Sequence, residues 1–279
     1  MENLPVNAWL EPLAGAACGE DLEYDPQFME LSQAAAGKAE TQFAAAEPPQ
    51  WPAAREHAVA LFERTRDLRV ALMWGRASVN LGGLEALPAA LTLLHGLLDR
   101  YWDEVHPRND PDDGDAFARL SVLGSLDKLD GLLGDVRQAL VLNDRRLGGL
   151  RTREIEIALD RLPARSDESP RTLGQIQGML ADMPDVAVRL RSCHAQSSEA
   201  LKALQRVMND RFGIANAVDL KNLKGMLSAL ESVLPESAAA TADAGEALPL
   251  DAAPATPRRG GGSGGGVHSI DSRQDAVKA

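Results

Sequence analysis

Cysteine is almost absent from this sequence, and its scarcity bears on both redox chemistry and metal binding. Only Cys18 and Cys193 occur in 279 residues, and they form no CxxC pair. Neither a disulfide framework nor a Cys-based zinc site is expected from so few and so distant thiols. We interpret both cysteines as free thiols in a reducing compartment.

Long apolar runs are also missing. A membrane-spanning helix needs about 18 or more consecutive apolar residues, and the sequence contains no such run. The segment Met1–Cys18 lacks a basic start, and Glu2, Glu11 and two prolines interrupt its apolar residues. It therefore does not fit a signal peptide, and we expect a cytoplasmic protein without membrane insertion.

Positive charge is neither abundant nor clustered. The formal net charge is −12, with 29 Lys and Arg against 41 Asp and Glu, and the basic residues are scattered. Nucleic acids and anionic membranes require a concentrated cationic face. We therefore expect no nucleic-acid partner, and the composition is compatible with a protein that binds other proteins.

Catalytic motifs are lacking as well. The sequence contains no HExxH, no GxSxG and no Cys/His pair at ligand spacing, and its glycine run GGGSGGG is not followed by GK[ST]. Such motifs place nucleophiles, bases, metals or phosphates. We predict no enzyme activity, no catalytic residue, no cofactor and no metal.

Leucine and alanine dominate, while aromatic residues make up 4% and β-branched runs are scarce. This composition predicts an all-α fold. We divide the chain into a multi-helix N-terminal domain (1–164), a smaller helical middle unit (165–234), a flexible Ala/Pro/Gly-rich linker (235–268) and the start of a truncated C-terminal domain (269–279). The linker composition cannot form a core of its own.

The clearest predicted helix runs from Leu84 to Val105. Its large apolar residues alternate in steps of three and four, which places them on one stripe: Leu84, Leu87, Leu91, Leu94, Leu98, Tyr101 and Val105. Pro107 ends the helix, and His106 is predicted to stabilise its C-terminus. Trp102 lies beside the stripe, so it either flanks the core or serves as an exposed anchor for a partner.

Other helices are predicted from caps and stop signals. Asp25 caps a helix from Pro26 to about Ala36, and Asp67 caps one that ends at Gly82-Gly83. Further on, Thr152, Asp185 and Asp219 are predicted caps, the second of a long helix ending at Gly213. Residues 136–150 are predicted to form a loop or a short strand pair.

Two segments are dense in carboxylates. Asp21, Glu23 and Asp25 fit an acid/base or cation site. Alternatively, Asp21 and Asp25 cap the next helix and pair with arginines of the core helices. The turn at residues 109–115 superficially resembles a calcium loop, but Pro111 and Leu120 stand where ligands are required. We interpret it as a solvated acidic turn and select Asp110, Asp112, Asp113 and Trp102 as candidate partner-binding residues.

Three motifs carry a family resemblance: GEDLEYDPQF (Gly19–Phe28), RDLRVALM (Arg66–Met73) and the segment Gly83–Asp115. Together they resemble the ImpA-type N-terminal domain of the TssA family of bacterial type VI secretion systems, over about residues 10–135. The matching positions that we take as the structural signature are Gly19, Asp21, Asp25, Asp67, Arg69, Tyr101, Trp102, His106, Pro107 and Arg119.

This resemblance implies a non-enzymatic assembly factor that contacts baseplate, sheath, tube or membrane-complex proteins. It also implies that full oligomerisation needs the C-terminal domain, and Ser269–Ala276 resembles the opening of that domain. The apolar stripes of the middle helices either mediate self-association or simply pack on neighbouring helices. Two other functions stay open: a dimerising helical adaptor of another pathway, and an all-α acid- or metal-dependent enzyme using Asp21, Glu23, Asp25 and residues 110–115.

Overall fold

The computed structural model describes residues 6–235 except 39, 41, 43, 111 and 113. The predicted linker beyond Pro235 and the segment 269–279 therefore lie outside the described residues. The described elements are α1 (Val6–Trp9), α2 (Pro26–Ala36), α3 (Trp51–Phe62), α4 (Leu68–Gly82), α5 (Leu87–Arg100), α6 (Phe117–Gly124), α7 (Leu132–Gln138), β1 (Leu140–Asp144), β2 (Gly148–Arg151), α8 (Thr152–Ala158), α9 (Leu173–Ala181), α10 (Pro184–Phe212) and α11 (Lys221–Val233). Single turns of 3-10 helix occupy Leu84–Ala86 and Ser125–Asp127.

The fold is mostly helical rather than all-α. Strands β1 and β2 form an antiparallel hairpin in which Leu140 pairs with Arg151 and Asp144 with Gly148. The turn closes because the Asp144 carboxylate accepts hydrogen bonds from the backbone N–H groups of Arg146 and Leu147. The strand pair was one of the two structures predicted for this segment, but the all-α class was wrong at this point.

Helices α4 and α5 form the centre of the core. Their inward faces are almost completely buried, including Trp74 on α4 and Leu87, Leu91 and Leu97 on α5. A Cβ atom at Gly75 would lie 2.8 Å from the Cβ of Ala90, so glycine allows the two helices to approach closely at this point. On α1, Trp9 stacks on Phe62, with ring centroids 4.4 Å apart, and thereby covers this core.

The long helix α10 packs on α5. The thiol of Cys193 donates to the carbonyl oxygen of Leu84 at 3.3 Å, and Arg189 pairs with Glu85 at 3.2 Å. Residues on both sides of the predicted division at 164 and 165 therefore contact each other directly. The division remains a prediction about sequence organisation.

Several predicted helix ends agree with the structure and others do not. Helix α2 has the predicted bounds, Asp67 caps α4 with Gly83 at its end, and Gly213 follows α10. The predicted caps Thr152, Asp185 and Asp219 are displaced by one or two residues, because Arg151, Met183 and Leu220 occupy the cap positions.

The central helix ends earlier than its apolar stripe suggests. Helix α5 stops at Arg100, and the chain then turns, with the N–H groups of Glu104 and Val105 both donating to the carbonyl oxygen of Tyr101. Val105 is nonetheless fully buried. The stripe predicted burial correctly, but it could not distinguish a helix from a turn that returns to the same core.

Among the described residues, no helix is both long and apolar enough to cross a membrane.

Candidate functional site

The sequence signature converges on a joint where three chain segments meet. The N–H of Leu68 donates to the carbonyl oxygen of His106 at 2.8 Å, and the N–H of His106 donates to Arg66 at 3.1 Å. The N–H of Arg66 in turn donates to the carbonyl oxygen of Cys18 at 2.8 Å. These short extended pairings hold the segments before α2, before α4 and after α5 side by side.

Gly19 is required by the geometry of this joint. Its φ is +65°, a left-handed conformation that disfavours L side chains. A Cβ atom there would lie 2.1 Å from the carbonyl oxygen of Arg64. A side chain at this position would therefore require the backbone of the joint to shift.

Arg69 collects the carboxylates around the joint. Its guanidinium lies 2.7 Å from Asp67, 2.8 Å from Asp21 and 2.8 Å from Glu23. Asp67 is fully buried and also caps α4 by accepting from the N–H of Arg69 at 2.7 Å. We call Asp21, Glu23, Asp67 and Arg69 the Arg69 cluster.

The charges of this cluster stabilise one another. Burial opposes the charge on Arg69, but its hydrogen bonds to Asp67 and Glu23 and the nearby charge of Asp21 raise the pKa of Arg69 above its usual value. The guanidinium also lies 4.9 Å from the ring centroid of Phe28 on α2. The cluster thus joins α2 to α4.

Asp25 has the capping role predicted for it. Its carboxylate accepts from the N–H of Gln27 at 2.9 Å and pairs with Arg64 at 2.7 Å. The hydrogen bond from Arg64 holds the pKa of Asp25 below its usual range. Asp21 and Asp25 are both paired with arginines, as the alternative of capping and pairing predicted. The predicted capping by Asp21 is wrong, because Asp25 occupies the cap position and Asp21 accepts from the N–H of Glu23.

His106 does not lie at a helix C-terminus, because α5 ends six residues earlier, at Arg100. The side chain is 2% exposed, and its Nε2 lies 3.2 Å from the carbonyl oxygen of Gly19. Since that oxygen can only accept, Nε2 is the donor. The Nδ1 atom lies 3.7 Å from Oδ2 of Asp21 and forms no hydrogen bond within the described residues, so His106 packs beside the Arg69 cluster rather than capping a helix.

Arg119 on α6 holds the loop after α5 by hydrogen bonds to its backbone. It is 1% exposed and donates three hydrogen bonds of 2.6 Å to the carbonyl oxygens of Trp102, Val105 and Pro107. Burial lowers the pKa of Arg119. Tyr101 closes the other side, because its hydroxyl donates to the carbonyl oxygen of Leu10 at 2.8 Å.

Trp102 is half-buried and stands between two cations. The guanidinium of Arg119 lies 4.8 Å from its ring centroid and that of the exposed Arg211 lies 5.4 Å away. The ring of Phe212 meets Trp102 edge to face at 5.0 Å. Trp102 therefore flanks the core and attaches the end of α10 to the loop after α5.

The acidic turn lies apart from these contacts. Asp110 is exposed, and its carboxylate accepts from the N–H of Asp112 at 2.8 Å, within the turn. Asp113 lies outside the described residues. Among the described residues, no hydrogen bond or ring contact links Asp110 or Asp112 to Trp102, so these three candidates do not contact one another in this way.

Sequence reasoning missed several residues because their partners are distant in the chain. Asp127 accepts from the N–H of Leu223 at 2.7 Å and from that of Asn222 at 3.2 Å, so it caps α11 from 95 or more residues away. Arg137 and Glu156 form a buried ion pair of 2.8 Å. No local spacing signals such contacts.

Both cysteines are free and buried. Burial raises the pKa of Cys18 and that of Cys193 to about 11. Neither thiol carries the thiolate that nucleophilic chemistry requires. The interpretation as free thiols is confirmed.

Comparison with known proteins assigns the class of this fold. Residues 10–128 match the family model described as ImpA, N-terminal, type VI secretion system. The chain also matches the solved N-terminal domain, including the ImpA_N region, of the TssA component of the type VI secretion system from Burkholderia cenocepacia. That match has a TM-score of 0.62 at 20% identity and covers 82% of this chain and 91% of the other, which establishes likeness of fold.

A curated relative is similar to this chain in sequence. The chain is 36% identical over 218 residues to the type VI secretion system component TssA1 of Pseudomonas aeruginosa, covering 75% of this chain and 62% of the relative. The chain thus spans less than two thirds of that relative's length. Residues 10–128 thus match the ImpA-type N-terminal family, and the chain is similar to TssA1, as the resemblance in its sequence predicted.

Proposed function

We propose that this chain is a non-enzymatic assembly or scaffold component of a bacterial type VI secretion system, acting in the cytoplasm. The similarity to the type VI secretion system component TssA1 supports this role. Because the chain covers 62% of that relative, the role of the whole relative is carried over here only as a proposal.

The single observation that carries a scaffold role is the internal use of the signature side chains. Asp21, Glu23 and Asp67 are engaged by Arg69, and Asp25 is engaged by Arg64. A catalytic carboxylate has to reach a substrate proton or a metal ion, whereas these carboxylates join chain segments. The signature builds a rigid frame whose outer surface is available for protein contacts.

The proposed partners are baseplate, sheath, tube or membrane-complex proteins of the secretion system, bound without nucleic acid or cofactor. Trp102 is half-buried, and its exposed part would contact a partner, since aromatic side chains are frequent anchors of interfaces. The exposed carboxylates of Asp110 and Asp112 would add charge complementarity at a second surface. Asp113, outside the described residues, stays with them as a candidate.

The test is a pull-down with the purified tagged chain against separately purified baseplate, sheath, tube and membrane-complex proteins. We expect recovery of at least one component, with reduced recovery by Asp110→Asn/Asp112→Asn or by Trp102→Ala. The matched control is Asp182→Asn, which changes a carboxylate just after α9. Recovery of none of the components would remove the proposal for this part of the protein.

Self-association through α10 and α11 is a second candidate. Val188 on α10 has 61% of its surface exposed, and helix dimers form by contacts between apolar side chains on the facing sides of long helices. Light scattering should then show a concentration-dependent dimer that Val188→Ser weakens. Leu129→Ser, at a residue that is 70% exposed outside these helices, should leave the dimer intact.

A further inference from the structure

An open groove separates the second half of α10 from α11. It encloses about 1220 Å³ and extends along α10 from His194 to Gly213. At 1.5 Å of rise per residue this face is about 28 Å long. Leu201, Leu220 and Leu227 line its apolar floor.

Three cations line the middle of the groove. Gln205 sets the register between the helices, because its side chain accepts from the N–H of Leu220 at 3.2 Å and donates to the carbonyl oxygen of Val218 at 2.9 Å. Lys224 lies one turn beyond Leu220, which places it level with Lys202 across the antiparallel pair. Arg206 lies one turn from Lys202 on the same face of α10.

These cations are not held in ion pairs by the described residues, although Asp210 lies one helical turn from Arg206 on α10. Lys202, Arg206 and Lys224 form no ion pair with any residue between 6 and 235 that the structure describes, whereas Arg69, Arg137 and Arg153 are each paired. The carboxylates of the groove lie toward its two ends. Glu231 faces His194 at 4.0 Å at one end, and Asp210 and Asp219 lie at the other.

Lys202 and Lys224 therefore make one stretch of the groove positive in a chain whose net charge is −12, while Asp210, Asp219 and Glu231 line the rest. This local excess is not needed for folding, because the three side chains end in solvent. An apolar floor with flanking cations is complementary to a helix that carries an apolar stripe and flanking carboxylates.

We propose that the groove between α10 and α11 binds an acidic amphipathic helix of a partner protein. The exposed Ile214 in the groove lining contacts the apolar stripe of that helix. Lys202, Arg206 and Lys224 pair with its carboxylates. A face about 28 Å long accommodates about 18 helical residues. This inference rests on the groove alone and stands whether or not the partner is a type VI secretion protein.

The probe is a fluorescein-labelled peptide of about 18 residues, with leucines at helical i, i+3, i+4 and i+7 spacing and glutamates beside them. Fluorescence anisotropy measures its binding to the full 279-residue chain. We expect saturable binding that weakens with added salt. A peptide with every glutamate replaced by glutamine should bind about fivefold or more weakly.

The decisive variant is Lys202→Gln/Lys224→Gln, at two exposed positions whose replacement leaves the core intact. It should weaken binding of the glutamate peptide about fivefold or more, whereas the control Lys128→Gln/Lys221→Gln should not. A second variant, Ser228→Trp, fills the groove from the α11 side and should reduce binding of both peptides.

Equal binding by wild type and Lys202→Gln/Lys224→Gln would overturn the proposal, as would equal affinity for the two peptides. If light scattering shows a dimer that this variant dissociates, and the peptide does not bind, the occupant is a second copy of the chain and the proposal is wrong. Peptide binding to the groove is measured separately from the pull-down of type VI components. A negative pull-down therefore contradicts the proposed function without contradicting the groove proposal.

Discussion

The Arg69 cluster and the groove between α10 and α11 both contain charges at the protein surface, but only the cluster neutralises them internally. In the cluster three carboxylates surround one guanidinium at a joint of distant chain segments. In the groove the cations project from regular helices whose backbone is already hydrogen-bonded. A joint without regular structure needs side chains to hold it, whereas a helix surface leaves its side chains available for binding.

The largest effect is expected at Arg119, the buried arginine next to the joint. Arg119→Met leaves three buried carbonyl oxygens without their donor and should lower the free energy of unfolding by about 3 kcal/mol or more. Urea denaturation measures the change. The control Arg211→Met removes only the stacking of an exposed arginine on Trp102 and should cost about 1 kcal/mol or less. Equal losses would mean that the loop after α5 does not depend on Arg119.

The second largest difference is expected between one carboxylate of the Arg69 cluster and one carboxylate of the groove. Asp67→Ala removes the cap of α4 and the buried partner of Arg69 and should cost about 2–4 kcal/mol. Asp219→Ala at the end of the groove should stay within about 0.5 kcal/mol. Thermal and urea unfolding of both variants decide this. A stable Asp67→Ala protein would contradict the role of the cluster.

A smaller difference in stability is expected between a glycine in the joint and a glycine on an open helix surface. Gly19→Ala places a Cβ atom against the carbonyl oxygen of Arg64 and should destabilise the protein by about 1–3 kcal/mol. Gly178→Ala, within α9 and with open space around it, should stabilise by about 0.5–1 kcal/mol. Opposite signs in the melting temperatures are expected, and a neutral Gly19→Ala would show that the joint tolerates displacement.

The smallest effect concerns the ion pair between Arg153 and Glu168, which lie 2.8 Å apart. The hydrogen bond from Arg153 lowers the pKa of Glu168 from 4.5 to about 2. Its contribution to stability is therefore fully present above pH 4.5 and is lost as the pH falls from 4.5 toward 2. Glu168→Gln should be less stable than wild type at neutral pH, and the difference should shrink as the pH falls through this window.

Urea midpoints measured across this pH range provide the check, with Glu199→Gln on the exposed side of α10 as the control. A difference that is constant with pH would show that the pair does not contribute through charge.

Features that depend on neighbouring residues could be predicted from the sequence. Asp25 and Asp67 cap helices that begin at the next residue, and Gly83 and Gly213 follow helices as predicted. The stripe from Leu84 to Val105 correctly identified buried residues. In each case the interactions that determine the feature are between residues within one or two helical turns of each other.

Features that depend on distant residues could not be predicted. His106 was placed at a helix end because Pro107 follows it, but its contacts are with Gly19 and Asp21. Asp127 caps α11 only once the chain has folded, and Phe212 meets Trp102 across more than a hundred residues. The unpaired state of Lys202 and Lys224 likewise depends on tertiary positions that periodicity does not contain.

We conclude that the residues of the Arg69 cluster hold the fold and that partners bind at other surfaces. The most direct measurement compares Asp21→Asn with wild type by melting temperature and by recovery of type VI components at equal concentrations of folded protein. We predict a lower melting temperature with unchanged recovery, because Asp21 pairs with Arg69 and lies beside His106. An unchanged melting temperature with lost recovery would contradict the claim and place the binding surface at the Arg69 cluster.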